Sequence, residues 1–215
     1  MNYYNFIIQQ KMWYNESYLE KGIVCDEINE DYAIYPMRIY KNIFIPSNKI
    51  YDFIFIGSFK IDEPCYQNRK WILNFIQQHF NNNSYLQFTD KITKQTHSSL
   101  GEFDYTFINK GVVPKQLEKD KRDIFDKDYY EKMSKSKFAL CPAGDSMWSM
   151  RFYECLMTKC IPIVDCKDET YRSKKESFLN YKYYLSSDKN FIYKEDWVDH
   201  NYQLFLKYHT LEYLN

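Results

Sequence analysis

KFALCPAGDSMWSMRFYECLMTKCIPIV, residues 137–164, is the stretch from which the fold is read. Lys137 to Cys141 is an apolar run of strand length, and Pro142 to Ser146 carries turn residues around Gly144. Trp148 to Lys159 repeats apolar side chains at helical spacing, and Ile161 to Val164 is a second strand. Strand, turn, helix and strand in that order join two parallel strands through a crossover helix. On the helix, Phe152, Cys155 and Leu156 share the inward face, while Arg151, Glu154 and Thr158 lie nearer the opposite one.

The turn stands at the C-terminal end of a strand, where ligands bind in open α/β sheets. A helix that starts there presents free N–H groups and the positive end of its dipole to an anion. Gly144 permits a close backbone approach or a positive φ. Asp145, Ser146 or Ser149 can cap the helix. Arg151 can fork onto phosphate oxygens, and Glu154, three residues on and on the same face, can accept both hydroxyls of a ribose. The same residues also suit a plain structural reading, with Asp145 as an N-cap and Arg151–Glu154 as a surface pair worth a few tenths of a kcal/mol.

Outward from this unit the alternation continues. Asp52 to Gly57 (DFIFIG) is an apolar run ending in Gly57-Ser58, as in a buried parallel strand. Asn68 to Phe80 is an amphipathic helix carrying Trp71, Ile72, Phe75, Ile76 and Phe80, and Asn81-Asn82-Asn83 reads as a turn. Strands are expected at 84–89, at 104–109 and at 181–185, a polar loop at 90–104, and helices at 128–135 and 195–214. Strands alternating with helices imply an α/β fold, a Rossmann-like parallel sheet with flanking helices. Residues 1–50, broken by Pro36 and Pro46, read as an N-terminal arm or small subdomain, and residues 51–215 as the Rossmann-like domain.

Composition narrows the function. The 29 basic and 29 acidic residues balance, which argues against a general nucleic-acid binder. No apolar run approaches the ~18 residues that span a bilayer, and the N-terminus carries no secretory pattern, so a cytoplasmic location is expected. The six cysteines form no CxxC pair, and buried free thiols are the expected state. The four histidines are scattered without ligand spacing, so no metal site is expected. Asp126-Lys127-Asp128 imitates the Asp-x-Asp of metal-dependent sugar transfer, but it precedes a helix and reads as capping.

The central stretch resembles the C-terminal signature of the exostosin-like (GT47-type) glycosyltransferases. Ser136, Lys137, Phe138, Cys141, Pro142, Gly144, Asp145, Trp148, Ser149, Arg151, Phe152, Glu154, Cys160, Ile161 and Pro162 match it in order. Upstream, IFIPSNKIYDFIFIGSF and NRKWIL resemble the family's extended Ile-Pro approach, first donor-domain strand and Arg-led helix, extending the resemblance over residues 43–165. Ala143 stands where the family usually has Arg, and Thr158-Lys159 replaces its small residue and Gly before Cys160.

The resemblance implies a single donor half of the two-domain GT-B architecture. It implies a nucleotide diphosphate sugar, a UDP-sugar, as donor substrate, with no further cofactor and no metal, and a glycan or glycoprotein as acceptor. Glu154 would hold the donor ribose. Arg151 would neutralise the diphosphate with N–H groups around Gly144, Asp145, Ser146 and Ser149; Arg69, opening the helix after the Gly57-Ser58 turn, would be a second diphosphate residue, with Gly57 and Ser58 also in the donor site. Arg69 also reads as a solvated cation at a helix start. The catalytic base is not assigned: Asp104, Glu102, His97, Glu27 and Asp31 stand open. The arm takes the place of an acceptor half, so a partner chain or homodimer is expected to supply one. The competing reading is a non-catalytic nucleotide-sugar-binding or partner-binding remnant.

Overall fold

The computed structural model describes residues 11–12, 14–19, 24–25, 33–57, 69–88, 127–143, 149–165 and 180–213. The expected strand at 104–109 and the polar loop at 90–104 lie outside them. The N-terminal segment holds helix α1 (Glu16–Leu19), the antiparallel pair β1 (Val24–Cys25) and β2 (Ala33–Ile34), and helix α2 (Met37–Tyr40). After it come β3 (Tyr51–Gly57), α3 (Lys70–His79), β4 (Tyr85–Phe88), α4 (Lys127–Ser134), β5 (Ser136–Leu140), α5 (Met150–Met157), β6 (Ile161–Val164), β7 (Tyr184–Leu185) and α6 (Glu195–His209).

Five of these strands form one parallel sheet in the order β4-β3-β5-β6-β7. This is the α/β architecture expected from the alternating pattern. Both faces are covered, which is why β3, β5 and β6 read as continuous apolar runs. Side chains alternate across the sheet. Phe53, Phe55, Phe138, Leu140, Ile161 and Ile163 pack with Ile72, Phe75 and Ile76 of α3 on one face. Ile54, Ile56, Ala139, Cys141 and Val164 pack with α4, α5 and the C-terminal half of α6 on the other.

The N-terminal segment joins the second face. Ile34, Tyr35, Ile39 and Tyr40 belong to that core. The Tyr35 hydroxyl donates to the Met150 carbonyl at 3.2 Å, and the Tyr35 ring meets Phe205 at 5.5 Å. The Tyr35 N–H donates to the His209 carbonyl at 2.8 Å.

Element ends differ from the periodicity for local reasons. β7 keeps only two of its five expected residues, because the Asn201 side chain takes both backbone groups of Lys182, at 2.8 and 2.7 Å. α6 stops at His209, where the Thr210 hydroxyl donates back to the Leu206 carbonyl at 2.6 Å and the backbone turns extended. α5 begins at Met150, with Ser149 at the N-cap position but making no side-chain cap bond, and the expected start at Trp148 lies outside the described residues. It ends in a Schellman motif: Cys160 N–H donates to the Cys155 carbonyl at 2.9 Å and Lys159 N–H to the Leu156 carbonyl at 3.3 Å. Lys159 takes the left-handed position at φ 54°, the place where the resembled family has Gly. The Asn81–Asn83 turn is as expected, with Asn83 N–H held by the Asn81 side chain at 2.7 Å.

Lys49 ties the strap before β3 to two helix ends. Its ammonium donates to the Ser134 carbonyl at 2.6 Å and to the Thr158 carbonyl at 3.3 Å, at the C-termini of α4 and α5. Burial lowers its pKa to about 8, which leaves it charged at neutral pH. Lys49→Met keeps the stem and removes the donors. We expect it to cost about 2 kcal/mol in urea unfolding, from two carbonyls left without a partner.

Candidate functional site

Numbered by their order in the sheet domain, the strands run 2-1-3-4-5. The chain reverses direction across the sheet between β3 and β5, and in such folds that switch point carries the ligand crevice at the C-terminal strand ends. β3 ends there at Gly57, and β5 leads there into Cys141-Pro142-Ala143 and then α5.

Arg151, in the first turn of α5, reaches across this switch point. Its Nη2 donates to the Ile56 carbonyl at the end of β3, and its guanidinium lies over the Phe55 ring, 5.1 Å from the centroid. Gly57 makes this approach feasible, because a Cβ there would stand 2.7 Å from Arg151 Nη2. The glycine at the strand end is therefore needed for space, not for an unusual backbone angle.

One turn along α5, Glu154 meets α4. The Tyr129 hydroxyl donates to Glu154 Oε2 at 2.5 Å, and the Tyr130 hydroxyl to Oε1 at 3.5 Å. Burial, then the Glu154 charge, holds the Tyr129 phenol well above its ordinary pKa, so it remains a donor. Burial opposes the charge on Arg151, but Tyr129, Cys141 and Glu154 outweigh it and raise the pKa further. Tyr129, Arg151, Ile54, Ile56, Met133 and Ala139 line one closely packed crevice. Arg151 and Glu154 are thus half-buried under α4 rather than on an open helix face, and Thr158 is fully buried.

Two polar atoms at the start of α5 are enclosed without a hydrogen-bond partner among the described residues, Ser149 Oγ and Arg151 Nε. Buried orphans of this kind call for an explanation, and an absent ligand is one.

Of the sequence-predicted residues, the structure brings Gly57 and Arg151 into contact, and puts Ser149 at the N-cap position and Glu154 past the middle of the same helix. Arg69 stands at the N-cap position of α3, on the opposite sheet face from α5. Ser58, Gly144, Asp145 and Ser146 lie outside the described residues, as do His97, Glu102, Asp104, Glu27, Asp31 and Asp126. Asp128 is inside the first turn of α4 and pairs with Lys132, a helix-surface role rather than a cap. Among the described residues no group of three or more His, Cys, Asp or Glu side chains is gathered to hold a metal. No described helix is long and apolar enough to cross a membrane.

Sequence reasoning missed Tyr129 and Tyr130. The available signal was topological: a helix leading directly into β5 crosses back over the sheet, so its inner face can meet the next helix on that side. Cys141, Cys155 and Cys160 are buried free thiols, as expected, with Cys141 and Cys155 sulfurs 3.3 Å apart. Burial raises the Cys155 thiol well above its ordinary pKa, keeping it protonated.

Residues 59–186, more than half of the chain, match the family model of the exostosin GT47 domain. The matched span carries Tyr129, Arg151 and Glu154 and begins just after β3. No curated protein matches the chain. The matched span includes the whole β5–α5–β6 unit that flanks the switch point, and the chain belongs to the exostosin GT47 family of glycosyltransferases.

Proposed function

We propose that the chain binds a nucleotide diphosphate sugar, a UDP-sugar, at the C-terminal ends of β3 and β5 and transfers the sugar to a glycan or glycoprotein acceptor without a metal. The observation that carries this reading is the pairing at the switch point of a cation, Arg151, with a carboxylate three residues away, Glu154, beside the orphaned Ser149 Oγ and Arg151 Nε. A diphosphate needs cationic and N–H donors, and a ribose diol needs an acceptor. Arg151 and Ser149 suit the first and Glu154 the second. A carboxylate can accept about four hydrogen bonds, so holding tyrosine hydroxyls is compatible with accepting others. Charge building on the departing nucleoside diphosphate would be met by Arg151 and the N-terminus of α5. Arg69, at the start of the other helix, is a further candidate for the diphosphate. A cytoplasmic setting belongs to the same proposal, supported by the three buried free thiols, a state that a reducing compartment maintains.

Calorimetry with UDP and GDP tests the site. We expect UDP to bind more tightly than GDP, and Glu154→Ala to weaken UDP at least tenfold, about 1.4 kcal/mol. Absence of binding to either nucleotide would overturn the donor-site reading.

The second reading is a non-catalytic remnant. It is favoured by the protein partners that Arg151 and Glu154 already have, the Ile56 carbonyl and the tyrosine hydroxyls, which stitch β3, α4 and α5 together. A donor-hydrolysis assay separates the two: nucleotide binding without turnover of any UDP-sugar, alone or with added acceptor, selects the remnant.

A further inference from the structure

Glu154 projects from a helix on a flexible stem, and a Glu side chain loses rotamer freedom when it is fixed. A carboxylate that is already held when the ligand arrives avoids that cost at binding. The residue that holds it comes from a different element. Tyr129 lies on α4, 25 residues upstream, and its hydroxyl meets Oε2 at 2.5 Å, against 3.5 Å for Tyr130 and Oε1. The Tyr129 side chain also lines the crevice that holds Arg151. The Tyr129 ring is set edge-on against Tyr130 at 5.2 Å and closes the crevice over Ile54, Ile56 and Met133. With its ring fixed in this way, the hydroxyl has little freedom to follow Glu154 elsewhere.

We infer that Tyr129 is a positioning residue for the nucleotide site: its hydroxyl, donated to Glu154 Oε2, sets the carboxylate in the orientation that accepts the ribose hydroxyls. The inference rests on the donor-site reading above and assigns to α4 a part in it. Tyr129 itself touches no substrate. It acts through Glu154, and its loss should be felt at the ribose and hardly elsewhere on the nucleotide.

The test compares UDP with 2′,3′-dideoxy-UDP by calorimetry on the full chain. The wild-type protein is expected to favour UDP at least tenfold, and Glu154→Gln to lose most of that preference. Tyr129→Phe keeps the ring and its packing and removes only the hydroxyl. It is expected to weaken UDP five- to tenfold, to change dideoxy-UDP affinity less than twofold, and so to reduce the preference to about twofold. In the double variant the preference should fall no further than in Glu154→Gln alone, because both changes break the same arrangement. Equal weakening of both ligands by Tyr129→Phe would show a merely structural role and overturn the inference, as would an unchanged preference. Failure of the wild-type protein to bind UDP, or to favour it over the dideoxy form, would instead remove the donor-site reading and this inference with it.

Discussion

Arg151→Ala is expected to weaken UDP binding at least a hundredfold and to lower the stability of the fold by about 3 kcal/mol. The first figure corresponds to about 2.7 kcal/mol, within the range of a lost charged contact to phosphate with its N–H donors. The second follows from what the side chain holds. Its Nη2 is the partner of the Ile56 carbonyl, and an enclosed carbonyl left alone costs about 1–3 kcal/mol. Its guanidinium over Phe55 adds about 0.5–2 kcal/mol. Calorimetry reads the affinity and urea unfolding the stability. Gly57→Ala should produce a smaller version of both effects. The new Cβ would crowd Nη2, the far end of a flexible side chain, so the guanidinium swings off the Ile56 carbonyl while its charge stays in the crevice. We expect about a tenfold loss of UDP affinity and a stability loss near 1 kcal/mol. Wild-type UDP affinity in Arg151→Ala would end the assignment of this residue to the diphosphate.

Acidification from pH 7 to pH 5 is expected to cost the fold about 2 kcal/mol through one buried histidine. His209 is fully buried on α6, its Nδ1 donating to the Ala33 carbonyl at 2.9 Å and its Nε2 accepting from the Tyr181 hydroxyl. Both ring nitrogens are committed in the neutral form, and burial lowers the pKa to about 3. The unfolded chain protonates this ring near 6.5. Between those two values the unfolded state binds a proton that the folded state refuses. Stability is therefore undiminished above pH 6.5 and falls as pH drops toward 3, by about 1.4 kcal/mol per pH unit. His209→Gln should lower stability at pH 7 yet flatten its decline between pH 7 and pH 5. Urea unfolding of both proteins at pH 5, 6 and 7 checks this. Burial also lowers the pKa of His79, which acts in the same direction in both proteins and leaves the difference between them to His209. Identical slopes would assign the acid sensitivity elsewhere.

Because His209 and Tyr35 join α6 to the N-terminal segment, the loss at low pH should be felt first around Ala33–Tyr40. Nothing in the sequence pattern announced this joint. Residues 1–50 carry weak periodicity, and Ala33 and His209 are 176 residues apart.

Local chemistry carries the sheet. Phe53-Ile54-Phe55-Ile56 and Phe138-Ala139-Leu140 are apolar on both faces, and only a strand covered on both sides tolerates that. Their alternation with amphipathic helices leaves few parallel topologies. The span that matches the family model covers β5 and the helix bearing Arg151 and Glu154. The surroundings of these two side chains are a different matter. Helical periodicity sets them away from Phe152, Cys155 and Leu156, but it cannot say what lies on that side. The crossover order of the sheet brings α4 and the end of β3 there. Tyr129 then meets Glu154 across 25 residues, and the Ile56 carbonyl meets Arg151 across 95. Side-chain type and spacing are written in the chain, whereas a contact between segments far apart exists only once the strands have taken their order in the sheet.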